Sequence, residues 1–141
     1  MRHRRARSVE ASVPFRPVRR AASLVAAVAV VLALPGPPAL AGEADVVGVT
    51  VTALGGERFR IDATVAHADE GWDHYADRWT VLDERGASLG VRELAHPHEN
   101  EQPFTRSVTV AIPAGVERIE VRAHDSVHGE GGESFFADVP R

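Results

Sequence analysis

From Val46 to Val139, apolar and polar residues alternate with a period of two, and no segment sustains the 3.6-residue period of an amphipathic helix. Successive side chains on a strand point to opposite faces, so a chain patterned in this way folds as half-buried strands. The first predicted strand is Val46 to Ala53, with Val47, Val49, Val51 and Ala53 on one face, and Leu54-Gly55-Gly56-Glu57 turns the chain. The second runs from Arg58 to His67, with Phe59, Ile61, Ala63 and Val65 pointing one way. A polar stretch, Ala68 to Ala76, leads into a third strand, Asp77 to Asp83, in which Trp79 and Val81 share a side. The turn Asp83-Glu84-Arg85-Gly86 opens a fourth strand, Ala87 to Ala95. The fifth, Thr105 to Ile112, sends Val108, Val110 and Ile112 inward, and Pro113-Ala114-Gly115 turns it into the sixth. That strand, Val116 to His124, carries Ile119, Val121 and Ala123 inward. A glycine-rich loop, Asp125 to Glu133, then precedes the seventh, Ser134 to Val139. Seven short strands separated by polar turns predict an all-β antiparallel sandwich of immunoglobulin or fibronectin III type, a single domain over residues 42–141.

Residues 1–41 have a different character. Seven of the 16 basic residues and one acid, Glu10, lie in the first twenty positions, and an apolar run follows from Ala21 to Leu34. After it come a breaker, Pro35-Gly36-Pro37-Pro38, and then Ala39-Leu40-Ala41. These are the parts of a secretory signal, with cleavage expected after Ala41. The run is 14 residues, short of a bilayer span, so a cleaved leader is favoured over an anchor. Arg19-Arg20 ahead of a mildly apolar run also suits twin-arginine export. The expected location is periplasmic or extracellular, with no membrane attachment after cleavage.

From Gly42 onward the chain holds nine arginines, no lysine and 19 acids, a formal net charge of −10. Such an acidic chain without a basic run is a poor partner for nucleic acid or anionic lipid. Cysteine is absent and the one methionine is Met1, so the domain folds without disulfides. Thiolate and thioether ligands are absent too, which excludes Cu(I) and iron–sulfur sites.

In an antiparallel sandwich successive connections alternate between the two ends. The links one–two, three–four and five–six are tight and free of histidine. The links two–three, four–five and six–seven are long. They carry His74, then His96 and His98, then His128, while His67 and His124 end strands that run toward the same pole. The segment His96-Pro97-His98-Glu99-Asn100-Glu101-Gln102-Pro103 reads as a proline-held loop displaying polar groups. Imidazoles gathered on loops of a rigid frame suit a transition metal, Zn²⁺ or Cu²⁺. The candidate ligands are His96, His98, His124 and His128, followed by His74 and His67. Asp125, Glu99 and Asp73 are candidate oxygen donors or supports behind the ligands.

Other readings use the same pole. Trp72, Tyr75, Trp79 and Phe104 could contact an exported protein or a glycan in a non-catalytic recognition module, although Trp79 alternates with Val81 and fits a core position better. Ser126, His124 and Asp125 are neighbours on an extended chain and point apart, which argues against a nucleophilic triad and against enzymatic function of that kind. A purely structural pole is a further option, with Arg78, Arg92, Arg106 and Arg122 pairing with Glu93, Glu99, Glu101 and Asp73. Taken alone, His67 fits a core-edge role and His74 an aromatic corner between Trp72 and Tyr75.

Three segments, GWDHYADRW (71–79), LGVRELAHPHENEQPFTRS (89–107) and RAHDSVHGEGG (122–132), resemble a group of small exported bacterial β-sandwich proteins of unknown function. The resemblance covers most of residues 42–141 and implies an exported sandwich with those segments as its signature. It implies no activity and no cofactor.

Overall fold

The alternation is realised as seven strands in the computed structural model, which describes residues 42–141; the expected leader, 1–41, lies outside the described residues. In chain order they are β1 (Asp45–Gly55), β2 (Arg58–Ala66), β3 (Ala76–Leu82), β4 (Ser88–Glu93), β5 (Phe104–Ala111), β6 (Arg118–Asp125) and β7 (Phe135–Asp138). A short 3-10 turn, Gly71–Asp73, interrupts the link between β2 and β3. One sheet has the order β1-β2-β5 and the other β4-β3-β6-β7, with every pairing antiparallel. The fold is the expected immunoglobulin/fibronectin III-like sandwich. Because β4 pairs with β3 rather than with β5, it joins the sheet of β3, β6 and β7, whereas in the constant-type immunoglobulin arrangement the fourth strand joins the other sheet.

Inward residues of both sheets fill the space between them. Phe59, Ile61, Val65, Trp79, Val81, Phe104, Ile112, Ile119 and Val121 are all fully buried. Burying each such side chain contributes on the order of 2 kcal/mol. Gly90 on β4 lets the sheets approach closely, since a Cβ there would run into Val110 Cγ1 on β5.

One local expectation fails. Simple alternation puts Val47 on the same face as Val49 and Val51, yet Val47 is 51% exposed and Val46 is buried. The register explains this: Val46 pairs with Val65 and Gly48 with Thr64, leaving Val47 as the extra residue of a bulge. The bulge restores Val49 and Val51 to the inner face opposite Ala63 and Ile61.

Candidate metal centre

The inward row of β2 does not stop where the ladder stops. After Ile61, Ala63 and Val65, the next alternate positions are His67 and Asp69, and both are buried. Asp69 Oδ1 lies 2.5 Å from His67 Nδ1 and accepts the Ala76 N–H at 3.0 Å. Its Oδ2 accepts the His98 N–H at 2.6 Å, so this carboxylate ties together the links β2–β3 and β4–β5. The other ring nitrogen of His67, Nε2, donates to the carbonyl of Gly42 at 2.9 Å. Gln102 bridges the same loops, accepting the His67 N–H and donating to the His98 carbonyl.

The inward row of β6 likewise runs on through Ile119, Val121 and Ala123 to Asp125, which has no exposed surface. Its Oδ1 accepts the backbone N–H groups of Val127 at 2.9 Å and His128 at 2.7 Å, closing a tight turn. The same oxygen lies 3.2 Å from His74 Nε2 and 3.2 Å from His128 Nδ1. Oδ2, equally buried, meets no hydrogen-bond partner among the described residues. Burial pushes the Asp125 carboxyl up, but the two backbone N–H groups and the nearby His128 and His67 rings outweigh it. The carboxyl is held below the usual carboxylate range.

The rings of His67 and His74 meet edge to face at 4.8 Å, and those of His74 and His128 at 4.9 Å. One donor atom from each of His67, His74 and Asp125 lies within 4.8 Å of the others. Zinc bonds of about 2.1 Å in a tetrahedron put donors about 3.4 Å apart, so the three would close by roughly an ångström onto an ion. All three side chains are buried, and Oδ2 is a buried acceptor with no hydrogen-bond partner among the described residues. The donor chemistry therefore fits a divalent transition metal.

The other sequence-predicted residues fall into separate places. His98 is buried and stacks on Phe104 at 3.8 Å, with its Nδ1 lacking a hydrogen-bond partner and lying 3.9 Å from Asp69 Oδ2. Burial lowers its pKa below the usual imidazole value, and Arg106 and His96 lower it further. His96 is exposed, 4.6 Å from the His98 ring, and donates from Nδ1 to the Pro97 carbonyl. His124 alternates outward on β6 beside the inward Asp125, and its Nδ1 lies 2.7 Å from Asp77 Oδ1, away from the buried group. Glu99 and Asp73 are exposed. An open cavity of about 460 Å³, lined by His67, Asp69, Glu99, Gln102 and Pro103 among others, borders the cluster.

Among the arginines, Arg106 forms a fork on Glu101 at 3.2 and 2.9 Å, and Arg122 pairs with Glu120 rather than with a loop carboxylate. Phe104 and Trp79 are core residues, whereas Trp72 is 67% exposed and packs against Tyr75. Sequence reasoning passed over Asp69 and Gly42. The spacing of His67 and Asp69 carried the signal for the first, and nothing local carried it for the second.

Fold and site together define an antiparallel β-sandwich with a buried histidine–carboxylate cluster at its long-loop end. A protein of Halomicrobium mukohataei described as "Putative lipoprotein" is 45% identical over 97 residues, covering 69% of this chain and 48% of its own length. The chain thus spans about half the length of that relative. No protein-family model and no solved structure matches the chain. Among the described residues, no helix is long and apolar enough to cross a membrane.

Proposed function

We propose that this is an exported metal-binding domain that holds Zn²⁺ or Cu²⁺ with His67, His74 and Asp125, with His128 beside them on the same carboxylate. One observation carries the reading: the Asp125 carboxylate lies next to two buried imidazoles, and its buried Oδ2 has no partner among the described residues. An uncompensated buried carboxylate oxygen is expensive, and a cation between it and the rings removes that expense. The absence of cysteine, and of any methionine beyond Met1, leaves nitrogen and oxygen donors, which suit Zn²⁺ and Cu²⁺. Export is supported by the signal-like residues 1–41 and by the description of the relative as a lipoprotein.

Isothermal titration of the purified protein with Zn²⁺ and Cu²⁺ tests the reading. Binding tighter than about micromolar is expected, lost in His74→Ala and kept within about threefold in His124→Ala. Weaker binding in the unaltered protein, or equal loss in both variants, refutes it.

The second reading, non-catalytic recognition of an exported protein or glycan, rests on Trp72, a large aromatic left 67% exposed beside the same loops. Quenching or a blue shift of Trp72 emission on adding a partner, absent in Trp72→Ala, would support it.

A further inference from the structure

The amino-terminal end of the domain lies against one of the metal-site histidines. The Gly42 carbonyl accepts a hydrogen bond from His67 Nε2–H at 2.9 Å, while Nδ1 is committed to Asp69 at 2.5 Å. A carboxylate on one ring nitrogen is the arrangement that orients an imidazole to ligate through the other. Nε2 is then the coordinating atom, and its lone pair is free only when its proton and the Gly42 carbonyl have left. An ion and Gly42 therefore compete for one position on His67.

What holds Gly42 there is the β6–β7 loop, whose near end carries Asp125 and His128. Ala44 is buried, and a Cβ on Gly132 would collide with the Ala44 carbonyl oxygen. A Cβ on Gly131 would strike the Glu43 carboxylate. Asp45 Oδ1 accepts the Glu133 N–H at 2.7 Å, and the Val46 N–H donates to the Glu133 carbonyl at 2.8 Å. Residues 42–45 are thus a strap clamped by the far end of the β6–β7 loop. The near end of that loop is the Asp125–His128 turn.

We propose that residues 42–44 gate the metal centre: the closed strap occupies His67, and a bound ion displaces the Gly42 carbonyl and frees the strap. This regulation rests on the metal-binding reading above, and its test separates the two. In the protein as purified, heteronuclear ¹H–¹⁵N NOE values at Glu43 and Ala44 should be those of ordered backbone without metal. They should fall to those of a chain end when Zn²⁺ is added. Gly132→Ala, which pushes the strap off, should tighten Zn²⁺ binding roughly fivefold, the worth of one neutral hydrogen bond. Gly115→Ala, whose Cβ would meet open space in a turn outside the cluster, should leave affinity unchanged. Should Gly132→Ala fail to fold, the NOE measurement on the unaltered protein decides alone. Zinc binding with the strap still ordered refutes the gate and leaves the metal centre standing. No zinc binding at all overturns both.

Discussion

Replacing Asp125 by asparagine separates its structural role from its proposed role toward a metal. The carboxylate does two things with two oxygens. Oδ1 closes the turn by accepting the Val127 and His128 N–H groups and lies 3.2 Å from the His74 and His128 rings, while Oδ2 is buried without a partner among the described residues. Asparagine keeps the first oxygen and puts a neutral amide nitrogen in place of the second. The two turn bonds persist at neutral strength, which loses about 1 kcal/mol relative to charge-assisted bonds. Removing the desolvation cost of the buried charge offsets part of that loss. Asp125→Asn should therefore unfold within about 1 kcal/mol of the unaltered protein in urea with a chelator present. Asp125→Ala strands both N–H groups and should cost about 3 kcal/mol, lowering the melting temperature by about 15 °C in a domain of this size.

Zinc binding should show the opposite order of sensitivity. A neutral amide in place of an anionic donor should weaken affinity at least about a hundredfold, or about 2.7 kcal/mol. In a melt at a zinc concentration of about one hundred times Kd, the unaltered protein gains about 2.7 kcal/mol, and Asp125→Asn gains almost none. Calorimetric titration together with urea unfolding gives both numbers on the same samples. The reasoning is refuted if Asp125→Asn binds zinc within threefold of the unaltered protein. It is also refuted if asparagine destabilises the metal-free fold as much as alanine does.

Acid should weaken the metal-free fold in two stages. Burial, then Arg106 and His96, hold the His98 pKa below its ordinary 6.5, so as pH falls the unfolded chain takes up that proton first. The stabilising contribution is therefore complete above about pH 6.5 and is lost as pH falls through the depressed folded value. The urea midpoint should drop between pH 7.5 and 5.5, with a shallower slope in His98→Phe. An equal slope in that variant counts against His98 as the source. Asp125, also depressed, adds a further loss below its ordinary 3.8, when its carboxyl protonates. At the centre of the sandwich, Gly90→Ala drives a methyl into Val110 Cγ1 and should destabilise by about 1–3 kcal/mol. Adding Val110→Ala should recover part of that in a double-mutant cycle of urea midpoints, and strictly additive losses would show that the two positions do not meet.

Alternation carried the sandwich because it is a two-state signal repeated in every strand: Phe59, Ile61, Ala63 and Val65 cannot all be buried in any other local structure. It also carried the pole, since an even number of strands returns each long link to the same end. Its weakness shows at β1, where one bulged residue moves Val47 outward, a register event set by pairing with Val65 and Thr64 rather than by the residues themselves. The choice among donors was legible further than the strand limits suggest. Inward Ile119, Val121 and Ala123 predict an inward Asp125 and an outward His124, and inward Val65 predicts His67 and Asp69. Each inner row thus ends in a polar side chain carried into the core beyond the ladder. Hydrophobic patterning would place a valine there, and an ionised carboxylate needs compensation. At Asp69 that compensation is complete, from the His67 ring and two backbone N–H groups. At Asp125 it covers only one oxygen, and that asymmetry between two otherwise similar carboxylates sets the β6 side of the cluster apart and is what the proposed metal reading rests on. No pattern in the sequence could show it, because it depends on how the long links converge on β6 and on which groups they bring within reach of Oδ2.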